Sequence, residues 1–136
     1  MGNNMTTEKD PLDKLIVDEN QSIDSDLLAS LIEDFMQFTK DGEFIFTEKF
    51  FKESDWKKVL FFLLGRKVIF IKSLKDGFKE EIQPKDISDL LVIPPKSITR
   101  ILSTELKGIT KSTKGSHKIP NYNLHKCKEV LENKHK

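Results

Sequence analysis

Two adjacent prolines, Pro94 and Pro95, fall in the middle of a stretch otherwise patterned for helix, and they leave the chain few ways to continue. Proline disfavours helical geometry in the residue before it and carries no amide hydrogen for a helix interior, so a pair of them ends one helix and allows another only by starting it. The consequence is two short helices with a turn at residues 92–95. Upstream, Pro84 stands where a first helical turn tolerates proline, and Ile87, Leu90 and Leu91 recur at helical spacing. Downstream, a helix over residues 96–107 places Ile98, Ile101, Leu102 and Leu106 on one face. Ser97, Thr99, Arg100, Ser103, Thr104 and Lys107 then fall largely on the other, and Gly108 closes the helix.

The stretch after Gly108 reads as a hairpin, because residues 109–113 and 117–119 are β-prone runs around Lys114-Gly115-Ser116. Asn123 can cap a last helix carrying Leu124, Cys127, Val130 and Leu131. In this order of elements residues 55–133 resemble a winged helix-turn-helix DNA-binding domain, with Ile87, Ile98 and Leu102 at the family's buried positions. The chain departs from the family at Ser88, where a small alanine is frequent, and at Val92, where a glycine often ends the first helix of the pair. Val92 points instead to a turn built by the prolines. The resemblance implies a mainly α fold with a small β-hairpin wing (α+β) and an N-terminal helical extension. It further implies that residues 96–107 enter the major groove as the recognition helix and that residues 110–118, as the wing, lie on the DNA backbone.

Charge points the same way. The chain's formal net charge of +1 hides an asymmetry: residues 1–56 carry 5 lysines against 14 acids, a net of −9, and residues 57–136 carry 18 cations against 8 acids, a net of +10. Between Pro94 and Lys128 the cations Lys96, Arg100, Lys107, Lys111, Lys114, Lys118, Lys126 and Lys128 meet a single acid, Glu105. Solubility alone favours interspersed signs, so a polyanionic partner is expected.

The 136 residues, 37% hydrophobic and 33% charged, suit one small domain with tails. Residues 1–25 read as an acidic flexible tail with a short helix at 11–18, because Leu12, Leu15, Ile16 and Val17 are too few to offset ordering entropy. Residues 26–54 form an extension: a helix to about Lys40 carrying Leu27, Leu28, Leu31, Ile32, Phe35 and Phe38, ended by Asp41-Gly42, then a short strand at 43–47. A helix from Trp56 to about Leu74 is apolar nearly all round and therefore central. Gly65 within it implies close approach by another element, the alternative being a break there with 68–71 as a strand. Residues 134–136 are a C-terminal tail. All ten phenylalanines lie between Phe35 and Phe78, and the apolar surface of residues 27–51 exceeds what one winged helix covers. That excess is expected to pack on the core or to pair with a second copy as a homodimer, which sedimentation at micromolar concentration distinguishes from a monomer.

Other chemistries lack their residues. No apolar run reaches the roughly 18 residues of a membrane span. The single cysteine, Cys127, allows no internal disulfide and fits a reducing compartment, so the expected location is cytoplasmic, or nucleoid-associated in a prokaryote. His117, His125 and His135 form no metal-binding spacing, and no phosphate-cradling glycine loop is present. No metal, cofactor or catalytic residue is expected. The expected function is therefore sequence-preferring binding of double-stranded DNA in transcriptional regulation. Arg100 would contact a base edge, and Ser97, Thr99, Ser103 and Thr104 phosphates or bases. Lys96 is placed for phosphate, Lys85 and Lys107 are outer phosphate partners, and Lys111, Lys114, His117 and Lys118 are wing contacts. RNA binding through the wing stays compatible with this pattern, and the alternative class is a winged-helix protein–protein interaction module in a larger complex.

Overall fold

The computed structural model describes residues 11–15 and 23–133, so most of the acidic tail and all of the C-terminal tail fall outside the described residues. Of the tail, Pro11–Leu15 forms a 3-10 turn. The folded chain then begins at Asp24, whose carboxylate accepts the Leu27 amide at 3.0 Å and caps α1 (Ser25–Ile32). The helix expected to reach Lys40 stops at Ile32. Its place is taken by β1 (Met36–Phe38), which pairs antiparallel with β2 (Phe44–Phe46), Met36 opposite Phe46 and Phe38 opposite Phe44. Phe35 and Phe38 fit a helix face, yet the same rings fit an aromatic hairpin, and tertiary stacking decides between them. Phe35 stacks on Phe61 with centroids 4.0 Å apart, and Phe38 meets Phe44 at 5.3 Å. Gly42, at φ +81°, turns the hairpin, and Thr47 closes its open end by donating its amide to Phe35 O and its hydroxyl to Asp34 O.

A single turn, α2 (Glu48–Phe51), leads into α3 (Asp55–Ile71). Val59 to Leu64 are buried without interruption, so α3 is covered on every side and forms the axis of the core, as its apolar run predicts. The helix continues through Gly65 and residues 68–71 are not a strand. Gly65 is the close approach its residue type implies: a Cβ there would lie 2.5 Å from Phe44 Cε2 and 2.7 Å from Met36 Sδ, so the hairpin β1–β2 rests on this point of α3.

After a loop come α4 (Pro84–Leu91) and α5 (Pro95–Ser103), each with proline in its first turn. The turn between them differs from the proline-built one expected. Val92 itself takes the left-handed conformation, φ 56° and ψ 49°, and Ser88 gathers the turn by accepting the Val92 and Ile93 amides on its carbonyl while its hydroxyl donates to Ile93 O. A β-branched residue in this region is strained by about 1–2 kcal/mol, and Val92 is 88% exposed, so little packing compensates. Val92→Gly should therefore raise stability by about 1 kcal/mol, less what the more flexible unfolded chain takes back, and lift Tm by a few degrees. A lowered Tm would mean that the turn is relaxed as it stands.

Beyond α5 the chain leaves helical geometry at Thr104, φ −119° and ψ −84°, four residues earlier than expected. The Ser103 and Thr104 hydroxyls turn back on the Arg100 carbonyl, at 3.1 and 2.7 Å, and Leu106 swings into the core. The hairpin then follows as β3 (Lys111–Thr113) and β4 (Ser116–Lys118), joined by Lys114 and Gly115 at φ 52° and 84°, the pair of left-handed residues that a tight two-residue turn needs. Ile82 adds a one-residue bridge to β4, exchanging backbone hydrogen bonds with His117 at 3.0 and 2.7 Å. A 3-10 turn at Asn121–Asn123 opens α6 (Leu124–Asn133). The described residues thus make a mixed α+β fold of six α-helices and two two-stranded antiparallel hairpins around one buried cluster that runs from Leu28 to Cys127. No described helix is long and apolar enough to cross a membrane.

Candidate nucleic-acid interface

The two faces of α5 divide sharply. Ile98, Ile101 and Leu102 are buried against the core, whereas Lys96, Thr99, Arg100 and Ser103 are exposed and Ser97 is half-buried. Nothing in the described residues covers that outer face. Arg100 extends from it and pairs with Glu105 at 3.7 Å, and the Thr104 hydroxyl lies within bonding reach of both the Arg100 carbonyl and the Glu105 carboxylate. The pair is solvent-facing and therefore weak, so Arg100 can exchange Glu105 for another partner. Thr104 and Lys107, expected on the recognition helix, stand instead in the turn over residues 104–109. Lys107 is exposed there, and Lys85 is exposed in the first turn of α4.

The expected wing residues separate into three groups. Lys114 is exposed at the tip of the hairpin. Lys111 and Lys118 are opposite one another at its base, half-buried, and line a recess with Phe70, Ile71 and Glu80 rather than joining Lys114. His117 lies on the other face with Ser112. Its Nδ1 is buried without a hydrogen-bond partner, and burial pushes its pKa below the usual histidine range. At neutral pH it is thus an uncharged, half-buried imidazole.

Two cations that sequence reading passed over hold this surface in place. Arg66 donates to the carbonyls of Glu80 and Lys79 at 3.0 and 2.6 Å while its guanidinium covers the Phe78 ring at 4.5 Å, fixing the loop that precedes α4. Lys67 is buried, its Nζ 2.7 Å from the Glu80 carboxylate and 2.6 Å from Asn121 Oδ1, so it ties that loop and the end of the hairpin to α3. Burial lowers the Lys67 pKa, and the hydrogen bond and charge of Glu80 oppose the shift. Buried Asn123 donates to Ile109 O at 2.8 Å and joins the turn after α5 to the start of α6. Cys127 packs in the core with its thiol pKa pushed up to about 12 by burial, which leaves it inert as a nucleophile. No protein-family model, curated protein or solved structure matches this chain.

Proposed function

We propose that this chain is a sequence-preferring double-stranded DNA-binding protein of winged helix-turn-helix build and acts as a transcriptional regulator, with α5 in the major groove and β3–β4 as the wing. The observation that carries this reading is α5 itself, nine residues long, with hydroxyls and cations left in solvent along one face and its apolar residues spent on the core. A helix of that length spans about 13 Å at ~1.5 Å per residue. B-DNA's major groove, about 12 Å wide, admits one. The Ile82–His117 bridge supports the same build, because it ties the hairpin to the segment that enters α4. Lys96, Lys107, Lys85 and Lys114 are the backbone contacts, and Arg100 reads a base.

Arg100 is the residue to test. Its planar fork bonds guanine O6 and N7 together, a pairing worth about 1–3 kcal/mol of discrimination. Duplexes selected from a random pool should share a guanine-containing motif. Arg100→Ala should bind the selected duplex roughly 10- to 100-fold more weakly while binding random duplex nearly as before. Glu105→Gln removes the carboxylate that pairs with that guanidinium and should raise affinity for random duplex more than for the selected one. No enrichment from the pool, together with unchanged binding by Arg100→Ala, would remove the base-reading role.

One observation favours the alternative, a protein-interaction module. Leu90 and Val92 are 60% and 88% exposed at the end of α4, an apolar pair beside the proposed DNA face. A protein partner seated there would lose affinity on Leu90→Asp, whereas duplex binding would not.

A further inference from the structure

Phe62, Arg66 and Ile69 fall at i, i+4 and i+7 on α3 and so share one face of it. That face lines a recess of about 220 Å³, walled also by Phe44 and Phe46 of β2 and by Phe78 and Leu90, from the loop before α4 and from its last turn. Phe62 and Ile69 are buried, whereas Phe44, Phe46 and Phe78 are half-buried and Leu90 is 60% exposed. The rings converge. Phe44 lies 5.1 Å from both Phe46 and Phe62, and the Arg66 guanidinium stands 5.8 Å from the Phe62 centroid and 4.5 Å from that of Phe78. Phenyl rings carry much apolar area, so several left half-buried around one hollow point to an occupant. An apolar cavity of about 150 Å³ holds benzene, and this one has room for a fused pair of rings. The polar groups at the recess are already matched. Lys75 Nζ pairs with the Glu43 carboxylate at 2.9 Å on the exposed rim, and Arg66 donates to the Lys79 and Glu80 carbonyls within the field of Glu80, Asp86 and Glu81. An ion entering there would lose hydration and meet only engaged partners, so the recess selects an uncharged ligand.

We propose that this recess binds a flat, uncharged, fused-ring aromatic molecule of the size of indole, its faces against Phe44, Phe78 and the Arg66 guanidinium and its polar edge at the Lys75–Glu43 pair. Occupancy would join the hairpin β1–β2 to α4, whose last turn, at Leu90, leads into α5. The site goes beyond the DNA reading and does not depend on it.

The test uses the isotopically labelled full chain and follows its amides and methyl groups by NMR during titration with indole. Cyclohexanol, uncharged but not flat, and indole-3-carboxylate, flat but charged, serve as comparisons. Indole should shift the amides of Phe44, Phe46 and Phe78 and the methyl groups of Ile69 and Leu90 saturably, and both comparisons should bind at least fivefold more weakly. Phe78→Leu removes a ring while keeping an apolar side chain, and should weaken indole at least fivefold with its remaining amides in place. Leu90→Ala, at an exposed position, should weaken indole at least twofold and serves where Phe78→Leu does not fold. No saturation up to the solubility of indole, or an affinity undiminished in a folded variant, overturns the proposal. Binding of either comparison within fivefold of indole also overturns it, because the recess then selects neither flatness nor the absence of charge. Indole binding by a chain that binds no duplex leaves this site standing and sinks the DNA reading, and duplex binding by a chain that binds no indole does the reverse.

Discussion

Replacing Lys67 with alanine should destabilise the protein by about 3–5 kcal/mol, because removing one partner of a buried ion pair leaves the other charge uncompensated. The group left behind is the Glu80 carboxylate, which cannot swing out to water easily. It is buried, and Arg66 clamps the carbonyls of both Lys79 and Glu80 to α3. The same change also takes away the hydrogen bond from Lys67 to Asn121, which joins segments 54 positions apart in the chain. Against the ~5–15 kcal/mol typical of a small domain, such a loss is a large share of all the stability there is. Pairing Lys67→Met with Glu80→Gln removes both charges while keeping most of the volume, so the double variant should lose much less than the two single changes added together. Urea unfolding of Lys67→Ala, of Lys67→Met and Glu80→Gln singly, and of the double variant measures the loss and the coupling. Additive losses, or a loss below about 1 kcal/mol for Lys67→Ala, would show that the pair does not hold these segments together.

The helix pair and the hairpin were legible in the sequence because their determinants are local. Pro84, Pro94 and Pro95 fix where α4 and α5 begin, and Lys114-Gly115 fixes the turn of the hairpin. The outer face of α5 was legible for a related reason, since apolar periodicity at Ile98, Ile101 and Leu102 settles by elimination where Lys96, Thr99 and Arg100 must point. What failed depended on distant partners. Residues 35–38 satisfy both a helical face and a strand, and only stacking on α3 separates the two. Gly65-Arg66-Lys67 reads as an interruption of an apolar run, whereas both cations are held by groups 14 and 54 residues away. Lys111 and Lys118 were grouped with Lys114 because alternation over three residues shows which side chains share a face but not what that face meets. The end of α5 was misplaced because Ser103 and Thr104 have helical alternatives that their hydroxyls decline, a local contest whose outcome depends on Leu106 finding the core.

The largest effect that the proposed function predicts is a salt dependence of binding to DNA. Each phosphate neutralised by a lysine or arginine releases condensed counterions, so the logarithm of affinity falls with the logarithm of salt at about −0.9 per contact. Lys85, Lys96, Arg100, Lys107 and Lys114 are exposed on α4, on α5, in the turn that follows it and at the tip of the hairpin. With Arg100 on a base edge, the four lysines make about four phosphate contacts and a slope near −3.6. The acidic N-terminal half, −9 over residues 1–56, repels the same backbone, so the binding rests on the cations of the C-terminal half. Fluorescence anisotropy of the full chain on a labelled random duplex, titrated from 50 to 200 mM salt, measures the slope directly. The account predicts an affinity loss of roughly a hundredfold across that range, and a slope about one unit shallower for Lys114→Gln. A slope near zero, or no binding at 50 mM, would contradict it.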